Sequence, residues 1–278
     1  MDKAHAKTDR ILLEIEKKLK ASYSYAYKDV KKQLTEIVAK MELSQGLTAN
    51  ERYLLANKYD RLTKLAEQIT DTINNADKEA VRIINGELAN IYTINKKQAE
   101  SLFAKYGVEF NAINKTATNQ LVAESISPFD KLAIDNLKSK DAVLRALKQE
   151  FTTSIMTGES IPNMAKRIKG VTERNLADSI RIARTETTRV ENSARYEVGK
   201  KGEELGFKMK REWVATTDER TREEHADADG QQVDMDEPFT VGGEQLMYPG
   251  DTSLGASAKN TINCRCTIKN IIVEESKK

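Results

Sequence analysis

Gly206-Phe-Lys-Met-Lys-Arg-Glu-Trp-Val-Ala215 is where the chain changes its period. Phe207, Met209, Arg211, Trp213 and Ala215 alternate with Lys208, Lys210, Glu212 and Val214, and successive side chains of a strand face opposite ways, so the first set shares one side. Upstream the spacing is helical. A helix from about Glu173 to Leu205 carries Arg181, Arg184, Thr185, Glu186, Arg189, Asn192 and Arg195. Before it, Ser160 reads as an N-cap with Pro162 in the first turn of a short helix to Ile168, which Gly170 stops. Downstream, Asp229-Gly230, Pro238-Phe239 and Pro249-Gly250 are turn signals. Cys264, Cys266 and Ile268, continuing to Ile271 and Val273, alternate as a closing strand. A small sheet laid on the long helix is the economical arrangement.

Farther upstream helices dominate, since no proline precedes Pro128. Ile11, Ile15, Leu19, Tyr23, Tyr27, Val30, Leu34, Val38 and Met41 recur at a mean step of 3.75, one face of a helix that Gly46 ends. Thr48-Ala-Asn-Glu51 has capping-box spacing for the next helix, whose face is Leu55, Leu62, Leu65, Ile69 and Ile73. A third helix is expected from about Asp77 through Val81, Ile84, Leu88 and Ile91, and a short fourth from Lys96 to Tyr106 closed by Gly107, all as antiparallel hairpins. Ser127-Pro128-Phe129-Asp130 reads as a turn, and Val143, Leu147 and Phe151 mark a helix from Ser139 to Met156. The expected class is α+β: a helical N-terminal region over 1–127, then 128–278, whose compact sheet-containing part spans about 206–273 and packs on the long helix.

Composition agrees with extended helices: 32% charged and 6% aromatic residues suit solvated helices better than a broad sheet. The net charge of +2 conceals a split. Up to Glu212 there are 38 Lys and Arg against 30 Asp and Glu; from Trp213 onward, 7 against 13. A basic helical part favours polyanions, and Lys200, Lys201, Lys208, Lys210 and Arg211 cluster near one end of the long helix as candidate nonspecific contacts to double-stranded DNA. Two cysteines one residue apart cannot build a disulfide framework and point to a reducing compartment. No run approaches the roughly 18 apolar residues of a membrane span, and the N-terminus lacks a signal-peptide core, so folding in the cytosol is expected.

Asp218 is placed to cap a short helix on which Arg222 and His225 share a face. Cys264 and Cys266 admit three readings. With His225 and a carboxylate such as Asp218 or Asp229 they complete four zinc ligands, although paired zinc cysteines usually have two residues between them. With His225 as base, either thiol becomes a nucleophile. Otherwise they are small buried residues beside a polar network of Arg184, Glu186, Asp218, Arg220, Arg222 and Arg265. No Walker loop, Gly-x-Gly-x-x-Gly turn or His-Glu-x-x-His motif occurs. The expectation is a protein without catalytic residues or cofactor; zinc on His225, Cys264 and Cys266, serving a metal-dependent enzyme or effector, is the rival.

Taken in order, Ile182-Ala-Arg-Thr-Glu186, Trp213, Thr217-Asp-Glu-Arg-Thr-Arg222, His225, Asp229-Gly230, Phe239, Tyr248-Pro-Gly-Asp251 and Asn263-Cys-Arg-Cys266 resemble the phage Mu F-like minor head protein family, also called the SPP1 gp7-type head morphogenesis family. The resemblance covers about residues 140 to 272, and it marks Arg184, Thr185, Glu186, Trp213, Asp218, Arg220, Thr221, Arg222, His225, Asp229, Gly230, Phe239, Pro249, Gly250, Asn263, Cys264, Arg265 and Cys266 as a structural motif network. It implies a tailed-phage or prophage protein, present in few copies inside the capsid, that associates with the portal during head assembly in the host cytoplasm. Scaffold or major capsid protein are further partners, and DNA binding and genome entry are linked to the family. The helices before residue 128 show no family pattern. Some relatives carry a toxin domain after the Cys-Arg-Cys strand; about a dozen residues follow Cys266 here, so none is expected.

Overall fold

The computed structural model describes residues 2–41, 48, 50–51, 61–108, 141–154, 157, 159 and 161–274. The architecture is α+β: long helices, then a small antiparallel sheet region. In chain order the elements are α1 (Lys3–Met41), α2 (Arg61–Glu100), a 3-10 turn (Ser101–Tyr106), α3 (141–154), α4 (Ile161–Glu204), β1 (Lys208–Val214), α5 (Glu223–Asp227), β2 (Gln232–Asp234), β3 (Phe239–Val241), β4 (Glu244–Leu246), α6 (Ala258–Thr261) and β5 (Thr267–Glu274). They form two compact units, one of Met1–Glu16, Ile84–Ser127 and Ile180–Lys278, the other of Lys17–Ile83 and Pro128–Ser179.

The second unit is helical. Val30, Leu65, Ile69, Ile73, Val143, Leu147, Phe151 and Ile168 bury one continuous core, so these members of the stripes read from spacing on α1, α2 and α3 face inward. Two expected helix boundaries are absent. Asp77 begins no helix, because α2 runs unbroken through it. Its buried carboxylate accepts the Tyr23 hydroxyl and the Asn175 amide at 3.1 Å, tying α2 to α1 and α4. Burial pushes that carboxyl upward despite those bonds. Gly170 does not stop a helix either, since α4 is continuous from Ile161 to Glu204. A helical glycine costs about 1 kcal/mol, less than the roughly 1.5–3 kcal/mol gained by burying each of its neighbours Met164, Ile168 and Val171. Packing therefore overrides the local preference. A Cβ at Gly170 meets nothing within 4 Å, so Gly170→Ala is expected to raise stability by about 0.5–1 kcal/mol. A lower midpoint in thermal unfolding would contradict this.

The first turn of α1 starts eight residues earlier than the apolar stripe suggests, because Asp2 caps it: its Oδ1 accepts the N–H groups of Ala4 and His5 at 3.0 and 2.9 Å. The box at Thr48 and Glu51 forms as read, with the Glu51 carboxylate accepting the Thr48 N–H at 2.9 Å and the Thr48 hydroxyl accepting the Glu51 N–H at 3.3 Å. Gly107, at φ 69°, closes the 3-10 turn that continues α2 in place of a separate fourth helix. Gly46, Leu55, the turn at Pro128 and the cap at Ser160 lie outside the described residues.

The first unit holds the sheet, in order β2-β1-β5, all antiparallel, with β1 central. Met209, Arg211 and Trp213 are buried on one face of β1, and Phe207 precedes them on the same side. β3 and β4 form a separate hairpin whose turn residues Gly242 and Gly243 both take positive φ, 56° and 80°, as a two-residue turn between right-twisted strands requires. Two cores result. Phe103, Val198, Phe207, Met209 and Met235 pack between the 3-10 turn, α4 and the sheet; Trp213, Phe239, Val241, Leu246, Cys264, Cys266 and Ile268 pack between the sheet and the hairpin. β5 begins at Thr267, so Cys264 and Cys266 precede the strand instead of lying in it.

Candidate functional site: a polar framework around a buried Cys-His cluster

The C-terminal half of α4 presents hydrogen-bonding groups to the backbone entering β5. Thr188 donates its hydroxyl to the Cys264 carbonyl, and Thr185 Oγ1 accepts the Asn263 N–H at 3.0 Å. Asn192 does the most. Its amide donates to the Cys266 carbonyl at 3.1 Å and its Oδ1 accepts the Ile268 N–H at 2.8 Å, so this segment pairs with a side chain where a neighbouring strand would otherwise serve. Asn263 sits at φ 56°, the left-handed region that asparagine tolerates better than most residues, and turns the chain into Cys264.

The motif arginines act mainly within the fold. Arg265 grips Asp218 through two hydrogen bonds of 2.6 and 2.5 Å. Those bonds, chiefly, hold the Asp218 carboxyl well below the usual carboxylate range. Asp218 does not cap α5, whose N-cap is Arg222 without a side-chain bond; Asp218 Oδ1 instead accepts the Arg220 N–H at 2.9 Å and organises its own turn. Arg222 donates to the Ile262 carbonyl, Thr221 to the Thr216 carbonyl, and Arg184 to Glu16 at 2.8 Å. Arg220 is the exposed member. Glu186 is buried beside Arg189 at 2.7 Å, and burial still pushes its carboxyl upward.

Three turns fix the remaining motif residues. Asp229 accepts the Ala215 N–H at 2.8 Å, and Gly230, at φ 74°, returns its own N–H to the Trp213 carbonyl at 2.9 Å. Tyr248-Pro249-Gly250-Asp251 closes with the Asp251 N–H on the Tyr248 carbonyl at 3.0 Å, with proline and a positive-φ glycine at the central positions of a type II turn. Gly250 is needed for space as well, because a Cβ there would stand 3.2 Å from the Arg189 backbone. Phe239 packs edge-on against Trp213, ring centroids 5.4 Å apart.

His225, on α5, lies against the two cysteines. Its Nδ1 is 3.5 Å from both Cys264 Sγ and Cys266 Sγ, all three residues are buried, and Trp213 packs edge-on to the imidazole with centroids 5.8 Å apart. The Cys266 N–H donates to Cys264 Sγ at 3.4 Å. The neighbouring Cys266 sulfur, then burial, pushes the Cys264 thiol up, while the hydrogen bond from Cys264 pulls Cys266 down. Asp218 and Asp229, the carboxylates considered as a fourth ligand, are engaged elsewhere, and the metal-competent cluster among the described residues is His225, Cys264 and Cys266.

The DNA candidates fare unevenly. Arg211 is corrected: it is fully buried, its guanidinium donates to the carbonyls of Asp234, Met235, Glu237 and Met247, and it stacks between Tyr196 and Phe239. It reaches no phosphate because its guanidinium is spent on carbonyls of two backbone segments, 234–237 and 247, inside the fold. Lys200 pairs with Asp236, Lys201 with Glu204 at 2.6 Å and Lys210 with Asp234 at 3.7 Å, while Lys208 is exposed.

A second polar cluster escaped sequence reading because it assembles from both chain ends. Arg195, buried on α4, donates to Asp2, to Asn95 Oδ1 at 2.8 Å and to the Ile268 carbonyl at 3.2 Å, and lies 3.2 Å from Glu191. Glu191 also meets His5 Nδ1 at 2.7 Å and accepts the Thr267 hydroxyl at 3.1 Å.

Comparison of the sequence with known proteins finds one family match and two relatives. Residues 145–269 match the profile described as Phage Mu protein F like protein. The chain is 24% identical over 267 residues to the minor head protein GP7 of Bacillus phage SPP1, covering 95% of this chain and 84% of that protein. It is also 24% identical over 257 residues to NAD(+)--arginine ADP-ribosyltransferase EFV of Enterococcus faecalis (strain ATCC 700802 / V583), covering 90% of this chain; the chain spans only 50% of the length of that relative. No solved structure matches. Over residues 145–269, from α3 through the Cys-Arg-Cys turn into β5, this chain is similar to the Phage Mu protein F like family.

Proposed function

We propose that the chain is a noncatalytic minor head component of a tailed phage or prophage, resident inside the capsid, whose helical region 1–127 docks on the portal and whose Mu F-like region 128–278 meets packaged double-stranded DNA. The observation that carries this reading is what the side chains of the motif segment and the adjoining helix α4 do. Thr188, Asn192, Arg222, Asp229 and Asp251 spend their hydrogen bonds on backbone groups, and Asp218 on Arg265, which is architecture and leaves little for turnover. The alignments support it. The shared part makes up most of the SPP1 minor head protein and only half of the transferase-named relative. Scaffold and major capsid protein are further partners of the same assembly, which takes place in the host cytoplasm. Among the described residues no helix is long and apolar enough to cross a membrane.

DNA contact rests on Lys208 together with Lys200, Lys201 and Lys210. Exposed ion pairs contribute only about 0–1 kcal/mol, so their carboxylate partners yield readily to phosphate. The expected binding is weak, independent of sequence and strongly weakened by salt. The test is copurification of portal protein with the chain from infected cells, lost on removing residues 1–125, and a low-salt gel shift lost in the Lys200, Lys208 and Lys210 charge-reversal variant. Retained portal association would overturn the role of the helical region. Transfer of ADP-ribose from NAD+ to an arginine-bearing acceptor, abolished by His225→Ala, would overturn the noncatalytic reading.

A further inference from the structure

We propose that His225, Cys264 and Cys266 bind one zinc ion, with a small exogenous donor at the fourth position. The donor atoms, His225 Nδ1 and the two Sγ, lie within 4.8 Å of one another. Zinc bonds of about 2.3 Å to sulfur and 2.0–2.1 Å to nitrogen, set at tetrahedral angles, require a nitrogen-to-sulfur edge of roughly 3.5 Å. Both edges here measure 3.5 Å, so the imidazole is equidistant from the two sulfurs without any rearrangement.

The surroundings are those of a thiolate site. Cys264 Sγ accepts the Cys266 N–H at 3.4 Å, which orients the sulfur and moderates its charge. Two thiolates and a divalent cation sum to zero, the charge a pocket walled by Trp213, Phe239 and Ile268 tolerates. In the same cluster His225 Nε2 and Trp213 Nε1 are buried with no protein partner. Nδ1 ligation leaves the proton on Nε2, so the tautomer that binds metal leaves Nε2 a donor, as Trp213 Nε1 is. Binding releases the thiol protons to solvent as the two Zn–S bonds form. The one-residue cysteine spacing is workable because left-handed Asn263 sets Cys264 just outside β5, which lets both sulfurs turn to α5. The ion then joins α5 to the turn that enters β5, and serves the fold.

The experiment uses the full chain, purified with reductant, and measures zinc per chain by elemental analysis. After chelator stripping, it is titrated with Co2+, read by thiolate-to-cobalt charge-transfer absorption and by quenching of Trp213, the single tryptophan. The expected result is about one zinc per chain, a tetrahedral cobalt spectrum, and loss of both in Cys264→Ser and Cys266→Ser. Circular dichroism of each variant separates lost ligation from lost folding. Should the serine variants fail to fold, the wild-type chain still decides: zinc must slow alkylation of both cysteines severalfold. Folded wild-type chain that takes up no zinc and shows no cobalt–thiolate band, or serine variants that retain the ion, would overturn the site.

Discussion

Arg211→Met is expected to destabilise the protein by about 3–5 kcal/mol while leaving the stem of the side chain to fill its space. The guanidinium is fully buried and donates to four backbone carbonyls, those of Asp234, Met235, Glu237, at 2.6 Å, and Met247. Burial lowers its pKa, yet arginine stays charged, and the stacking rings of Tyr196 and Phe239 at 4.8 and 5.1 Å supply part of the compensation. Methionine would leave those carbonyls without donors, each costing about 1–3 kcal/mol before relaxation. Lysine would not rescue it, because one ammonium cannot span carbonyls that a planar fork reaches together. Urea unfolding followed by Trp213 fluorescence measures the effect. A loss below about 1 kcal/mol accompanied by weakened DNA binding would show Arg211 to be a surface phosphate ligand after all.

Arg195→Met is expected to have a comparable effect, about 3–5 kcal/mol, for a different reason. Arg195 is held by acids. Its removal leaves Glu191 buried with His5 as its remaining cationic partner, frees Asp2, and unpairs Asn95. The pH profile carries the signature. Although burial opposes it, the bond and charge of Arg195, with two backbone N–H groups, bring Asp2 down to about 2. Its folded value lies below the unfolded one, so the stabilisation is present above about 3.9 and is lost as pH falls toward 2. The variant should lack much of that acid limb. His5 behaves oppositely. Burial lowers its pKa, but Glu191 outweighs that and the net shift is upward, so its contribution is complete below about 6.5 and disappears as pH rises through the folded value. Without the repulsion from Arg195 that alkaline limb should move to higher pH. An Arg195→Met profile parallel to wild type from pH 2 to 9 would sink the network's role.

Elements with a local cause were legible. Alternation in Phe207–Ala215 produced β1, and the box at Thr48 and Glu51 closed as its spacing required. Apolar stripes marked the faces of α1, α2 and α3 that are buried. Boundaries were less so. Asp77 and Gly170 look like a cap and a stop, and each is overruled by the core on either side of it. Arg211 occupied a buried position in the alternating pattern and was also counted among surface cations; its burial follows from the pattern, but the carbonyls that make burial tolerable come from residues 23 to 36 positions away.

By itself the sequence determined the α+β class, the strand, the capping box at Thr48 and Glu51, and the ordered motif of the Mu F-like segment, because periodicity and turn chemistry act over a few residues. Tertiary structure alone decided that Asp218 clasps Arg265, that Arg195 joins Asp2 to Glu191, and that His225 stands equally far from two sulfurs about 40 residues along the chain. Charge pairing and ligand geometry depend on distance in space, which chain order does not encode.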